Sequence, residues 1–201
     1  MKKALALALA VCLALTAACS AAPTRVKNSV SPLDQTSEQR EILDLLTTDK
    51  QEHYVFSYDS DAAYKEVALW VEFYEKGELL YKPGSFAMSS TDGELRSGNI
   101  AVSILHNPAY TWTLVLSDKV GHASQSITPE DWEGVPPPDL SETLGRMHGQ
   151  MNSPEEISAG KEILLYQSLF SNSGVMRSYD GNPEQLKDYD YAYLVKCKFS
   201  N

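Results

Sequence analysis

The sequence predicts a mainly β fold, α+β only at its margins: an antiparallel β-sandwich or open barrel of about eight strands, with an N-terminal helix and one short late helix. Three observations lead there. Runs such as "HYVFSYD", "KEVALWVEFYE", "GNIAVSIL", "YTWTLVLS" and "YAYLVKCKF" are short and rich in β-branched and aromatic residues. Apolar and other residues alternate within them, the period of a strand. Asp, Gly, Pro and Ser separate them, as turns require.

In chain order, the first element is not part of the fold. Lys2 and Lys3 precede an apolar Ala/Leu run from Ala4 to Ala18. Fifteen residues make a helix of about 22 Å, short of the roughly 30 Å core of a bilayer. A spanning helix, an ordinary signal peptide and a lipoprotein signal compete for this segment, and its length disfavours the first. The stretch Leu15-Thr16-Ala17-Ala18-Cys19 resembles the bacterial lipobox, in which small residues precede a cysteine that takes a diacylglycerol thioether and becomes the first mature residue. The lipobox usually has leucine three places before the cysteine, where this chain has Thr16. Cys12 follows the bulky Val11 and fits less well. The reading is a lipoprotein signal at 1–18 and lipid attachment at Cys19, with ordinary secretion as the alternative. More than one acyl chain on that residue satisfies the requirement for stable anchoring.

Residues 19–35 read as a lipidated flexible tether, since "SAAPTRVKNSVSPLDQ" has no apolar periodicity. Such a length reaches about 55 Å extended and averages roughly 22 Å. Residues 36–201 read as one β-rich extracytoplasmic domain. Thr36 or Ser37 can cap a helix over "EQREILDLLTTD", with Ile42, Leu45 and Leu46 on one side. In "EVALWVEFYEKGELLY" both faces carry apolar bulk, which makes the strand central, with the helix covering one side. Lys76-Gly77 is a tight hairpin turn. The late helix falls on "SETLGRMHGQM", where Leu140, Leu144, Met147 and Met151 share a side, although Gly145 and Gly149 each cost about 1 kcal/mol.

Charge excludes some functions. The chain has 17 Lys+Arg and 27 Asp+Glu, a net charge of −10. Loss of Lys2 and Lys3 with the signal leaves 15 against 27, or −12. That balance repels phosphate backbones, so no nucleic-acid partner is expected. No disulfide framework exists: beyond Cys19 there is only Cys197, in phase with Tyr191, Tyr193, Val195 and Phe199 and alternating with Ala192, Leu194, Lys196 and Lys198, which points it inward as an inert core thiol.

Motifs for chemistry are sparse. His53, His106, His122 and His148 are scattered, without metal-ligand spacing, and no nucleophile elbow, phosphate loop or dinucleotide fingerprint occurs. No metal, cofactor or catalytic residue is predicted. Ser158-Ala159-Gly160-Lys161 fits S-x-x-K, but its partner motifs are missing. Asp59 with Asp61, Asp180 with Asn182, and Asp188 with Asp190 read as turn residues rather than calcium ligands. The candidate ligand-binding residues are Trp132, in the polar "TPEDWEGVPPPD" loop, and Tyr179 and Tyr189, in "SYDGNPEQLKDYDY".

The segment "LWVEFYEKGELL" resembles strand-turn-strand pieces of uncharacterised envelope proteins of Gram-positive bacteria, a resemblance that carries no known activity. Two function classes remain. One is a non-enzymatic binding module, lipid-anchored in the cell envelope and facing outside the cytoplasm, with a protein, peptide or glycan ligand. The other is a small envelope hydrolase acting on cell-wall or peptide material through paired carboxylates.

Overall fold

The computed structural model describes residues 26–33, 35–46, 51–90, 94–106, 111–119, 121–128, 145–173 and 177–201. Its strands are β1 (Ser29–Pro32), β2 (Gln51–Tyr64), β3 (Glu66–Glu75), β4 (Glu78–Ser89), β5 (Leu95–Leu105), β6 (Thr111–Ser117), β7 (His122–Ile127), β8 (Gly145–Gln150), β9 (Glu155–Glu156), β10 (Glu162–Ser171) and β11 (Tyr191–Ser200). Among the described residues one α-helix, α1 (Ser37–Leu46), lies between β1 and β2. The first sheet has six strands in the order β7-β6-β5-β2-β1-β9, the second five in the order β4-β3-β11-β10-β8. Every paired neighbour is antiparallel. The mainly β, sandwich-like fold is the one the alternation predicts.

The period of two builds the core directly. Val67, Leu69, Val71 and Phe73 of β3 share the inner face with Tyr193, Val195, Cys197 and Phe199 of β11. Phe56, Tyr58, Ile100, Val102, Ile104, Trp112, Leu114 and Leu116 answer them from the first sheet, all at 0% exposure. Aromatic pairs lock the layers: Trp112 lies 5.2 Å from Tyr193 and Tyr58 lies 5.3 Å from Phe199, centroid to centroid. Cys197 is fully buried in this layer, and burial pushes its thiol up, away from the reactive thiolate.

The Lys76-Gly77 turn forms as predicted, with φ of 48° and 84° joining Glu75 to Glu78. Gly98 is required for a different reason. A Cβ there would run into the Ser117 carbonyl and the Tyr58 ring, so Gly98→Ala must push backbone or a fully buried aromatic aside. Urea titration should show Gly98→Ala about 2–3 kcal/mol less stable than wild type; an unchanged midpoint would mean that the strands are packed less closely there.

Three local expectations are corrected. The body begins by Ser29, inside the stretch read as tether: β1 pairs with β2 and β9, and Val30 is fully buried. Four residues are too few to show a period, and the buried serines partner each other, Ser29 Oγ lying 3.0 Å from Ser31 Oγ. The predicted late helix is strand β8 over 145–150, paired with β10 from Tyr166 to Ser171; residues 139–144 lie outside the described residues. Gly145 and Gly149 weaken a helix, while the open edge of β10 supplies hydrogen bonds. Finally, α1 starts where its cap predicts, but Ile42 is 51% exposed. The outer face of the second sheet is covered instead by 177–190, whose 3-10 turn Pro183–Asp188 sets Leu186 beside Tyr179, Tyr189, Leu169 and Leu194.

Candidate functional site

Two charge clusters and a groove are the chemical features of this body. The first cluster lies between the sheets. Glu52 is in phase with Tyr54, Phe56 and Tyr58 on the inner face of β2, and Arg146 and His148 occupy the inner face of β8. Glu52 Oε1 meets His106 Nε2 at 3.0 Å, Arg146 Nη2 at 3.2 Å and His148 Nδ1 at 3.5 Å. Its other oxygen accepts hydroxyl bonds from Tyr54 at 2.7 Å and Tyr166 at 3.3 Å. Arg146 also reaches Ser168 Oγ at 3.4 Å. Burial opposes ionisation of Glu52, but the bonds from His106 and Tyr54 and the charge of Arg146 outweigh it and hold the carboxyl at about 2. Burial first, and then Glu52 itself, raises the Tyr54 and Tyr166 phenols, which stay donors.

The second cluster sits on the outer face of the second sheet. Glu72, 2% exposed, takes Lys196 Nζ at 2.8 Å, Lys82 Nζ at 2.9 Å, the Trp70 indole N–H at 2.9 Å and the Tyr74 hydroxyl at 2.7 Å. Burial again opposes ionisation, and the Lys196, Trp70, Tyr74 and Lys82 bonds overcome it, leaving the carboxyl at about 2. Lys196 continues to Glu162 at 3.0 Å, and Lys82 stands 5.5 Å over the Trp70 ring. Both clusters are saturated carboxylates whose partners are supplied by the fold. Among the described residues no group of three or more His, Cys, Asp or Glu side chains is arranged to hold a metal ion.

The groove, of about 500 Å³, opens where β8 leaves β10. Its floor and walls include Glu162–Leu164, Gln167, Asn152, Ser153 and Tyr179, and its rim carries Glu155, Lys161 and Asp180. Lys161 bonds Glu155 across the turn at 3.2 Å. A smaller depression of about 250 Å³ lies beside Pro32, Leu33, His53 and Gln150.

Of the residues singled out from sequence, Cys19 and Trp132 lie outside the described residues. Tyr179 and Tyr189 are brought together, but at 8% and 4% exposure they pack into the outer apolar cluster. Tyr179 also edges the groove; the Tyr189 hydroxyl donates to the Arg177 carbonyl at 2.5 Å. Neither presents an open ring face for stacking. Ser158 and Lys161 sit on a turn closed by Lys161 N–H to Ser158 O at 3.0 Å, not one turn apart on a helix. The Asp pairs serve turns and surface ion pairs: Asp59 meets Lys27 at 2.9 Å and Asp180 accepts from Asn182 N–H at 3.0 Å. The reading of sequence passed over Glu52, Arg146 and Glu72. The two glutamates carried a signal, a charge in phase with aromatics at spacing two, Glu52 with Tyr54 and Glu72 with Trp70 and Tyr74; Arg146 carried none.

Two facing antiparallel sheets, bridged by the Glu52 cluster and grooved along one edge, define a sandwich-like β domain. The chain belongs to the YgaN domain family, whose match spans residues 29–199. That span starts at β1, the first described strand. No curated protein and no solved structure matches the chain.

Proposed function

We propose that this chain is a binding module tethered outside the cytoplasm by a lipid on Cys19, and that it receives its ligand in the groove beside β10. The groove carries this reading: it is the feature that combines volume for a ligand, about 500 Å³, with solvent-facing polar groups. A hydrolase built on paired carboxylates needs one of them raised to act as an acid. Among the described residues, the carboxylates moved from their ordinary range are Glu52 and Glu72, both held at about 2, which favours binding over acid catalysis. The negative balance of the chain, −10 over its length, supports a ligand that is neutral or basic.

A screen of the chain against envelope glycans, peptides and extracellular proteins, repeated with Ser153→Trp, tests the groove. Ser153 is an exposed lining residue, so the indole fills the space without disturbing the core. Hits should weaken at least tenfold with Ser153→Trp; hits that bind both chains equally move the site elsewhere.

A further inference from the structure

The groove owes its existence to a strand that loses its neighbour. β8 pairs with β10 only from Tyr166 to Ser171, ending with Met151 N–H donating to Leu165 O at 2.8 Å. The chain then leaves the second sheet, and Glu155–Glu156 joins the edge of the first sheet as β9, opposite Ser29 and Val30. It returns through the 158–161 turn, anchored by Gly160 N–H on Phe199 O at 2.8 Å, to start β10 at Glu162. Glu162, Ile163 and Leu164 are therefore paired with β11 on one side and have no described strand on the other. That unpaired edge is the floor of the groove, and the register shift at Leu165 lies where β8 departs.

We infer that the groove takes a short extended peptide segment carrying Lys or Arg, which adds as a strand to the β10 edge at Glu162–Leu164; this rests on the groove reading proposed above. A strand edge offers a row of backbone donors and acceptors, and an extended peptide matches their spacing, which a sugar ring does not. Three residues span about 10 Å, enough for a peptide core of three or four residues with side chains alternating toward the two walls. The rim decides the charge. Glu155, Glu162 and Asp180 line the space against one lining lysine, Lys161; Glu155 is paired with Lys161 at 3.2 Å and Glu162 with Lys196 at 3.0 Å, so a cationic side chain of the peptide meets Asp180 and competes for the other two. Glu155 is 48% exposed and already exchanges with a lysine, Lys161, at 3.2 Å, the contact that a Lys or Arg of the peptide would replace.

The test is an array of capped octapeptides, with Lys/Arg-containing and Glu/Asp-containing sets, each probed with the full chain, Ser153→Trp and Asp180→Lys. The basic set should bind, lose at least tenfold with Ser153→Trp, weaken several-fold with Asp180→Lys, and lose at least tenfold when alternate backbone nitrogens of the best peptide are methylated. Asp180 is exposed, but its carboxylate holds one turn bond, from Asn182 N–H, so Asp180→Asn, which keeps that acceptor, is probed beside it and should weaken binding as well. Methylated peptides that bind as well as their parents would overturn strand addition. Binding of glycans but not peptides, still blocked by Ser153→Trp, would overturn the peptide inference and leave the groove reading standing. Peptide binding untouched by Ser153→Trp would overturn both.

Discussion

Replacing Glu72 by alanine is expected to cost about 3 kcal/mol, a large share of the roughly 5–15 kcal/mol that holds such a domain together. The carboxylate is 2% exposed and is the common partner of two lysines, an indole N–H and a phenol. Its removal leaves the Lys196 ammonium, 15% exposed, with Glu162 alone, and strands the Trp70 and Tyr74 donors. The asymmetry between deleting one partner and deleting both makes the claim specific. A Glu72→Met, Lys196→Met pair should recover part of that cost, because the Lys196 ammonium is no longer left without Glu72, while the Trp70 and Tyr74 donors still keep it below wild type. Urea unfolding of the singles and the double reads this directly. A cost below about 1 kcal/mol for Glu72→Ala would show that the cluster is solvated and contributes little.

Acid should weaken the fold through the same two carboxylates. Glu52 and Glu72 titrate at about 2 in the folded chain, against 4.5 ordinarily. Their folded values are depressed, so the unfolded chain binds more protons, and stability rises with pH across this interval. The contribution is complete above about pH 4.5 and is lost as pH falls toward 2. It amounts to about 3 kcal/mol for Glu72 and, discounted for its greater exposure, about 2 kcal/mol for Glu52. Glu52→Gln should therefore be less stable than wild type at pH 7, and the two stability curves should converge as pH approaches 2. Parallel curves over that range would show that Glu52 is not held as an anion by His106, Tyr54 and Arg146.

The layers were legible because the strands with the strongest alternation, around Val67–Phe73 and Tyr193–Phe199, meet at the centre of the core. The turn at Lys76-Gly77 was legible because Gly77 suits the positive φ that such a turn requires, between two apolar runs. β8 was not, since Leu140, Leu144, Met147 and Met151 mimic a helical stripe, and what makes 145–150 a strand is the edge of β10, distant in sequence. The same distance hid the candidate site. Arg146 reaches Glu52 across 94 positions, and the groove exists only because 151–156 crosses from one sheet to the other. Tyr179 and Tyr189 looked like recognition aromatics beside a run of polar residues; Leu169, Ala192 and Leu194 on the outer face of the second sheet gave them a reason to pack down.

Attachment at the membrane is tested most directly by feeding radiolabelled palmitate to cells expressing the full chain or Cys19→Ala, with the membrane and soluble fractions separated. Label should appear in the wild-type band, recovered with the membrane, and be missing from Cys19→Ala, which should run with its uncleaved signal. Equal label in Cys19→Ala, or an unlabelled wild-type protein released from the membrane, would contradict attachment at Cys19.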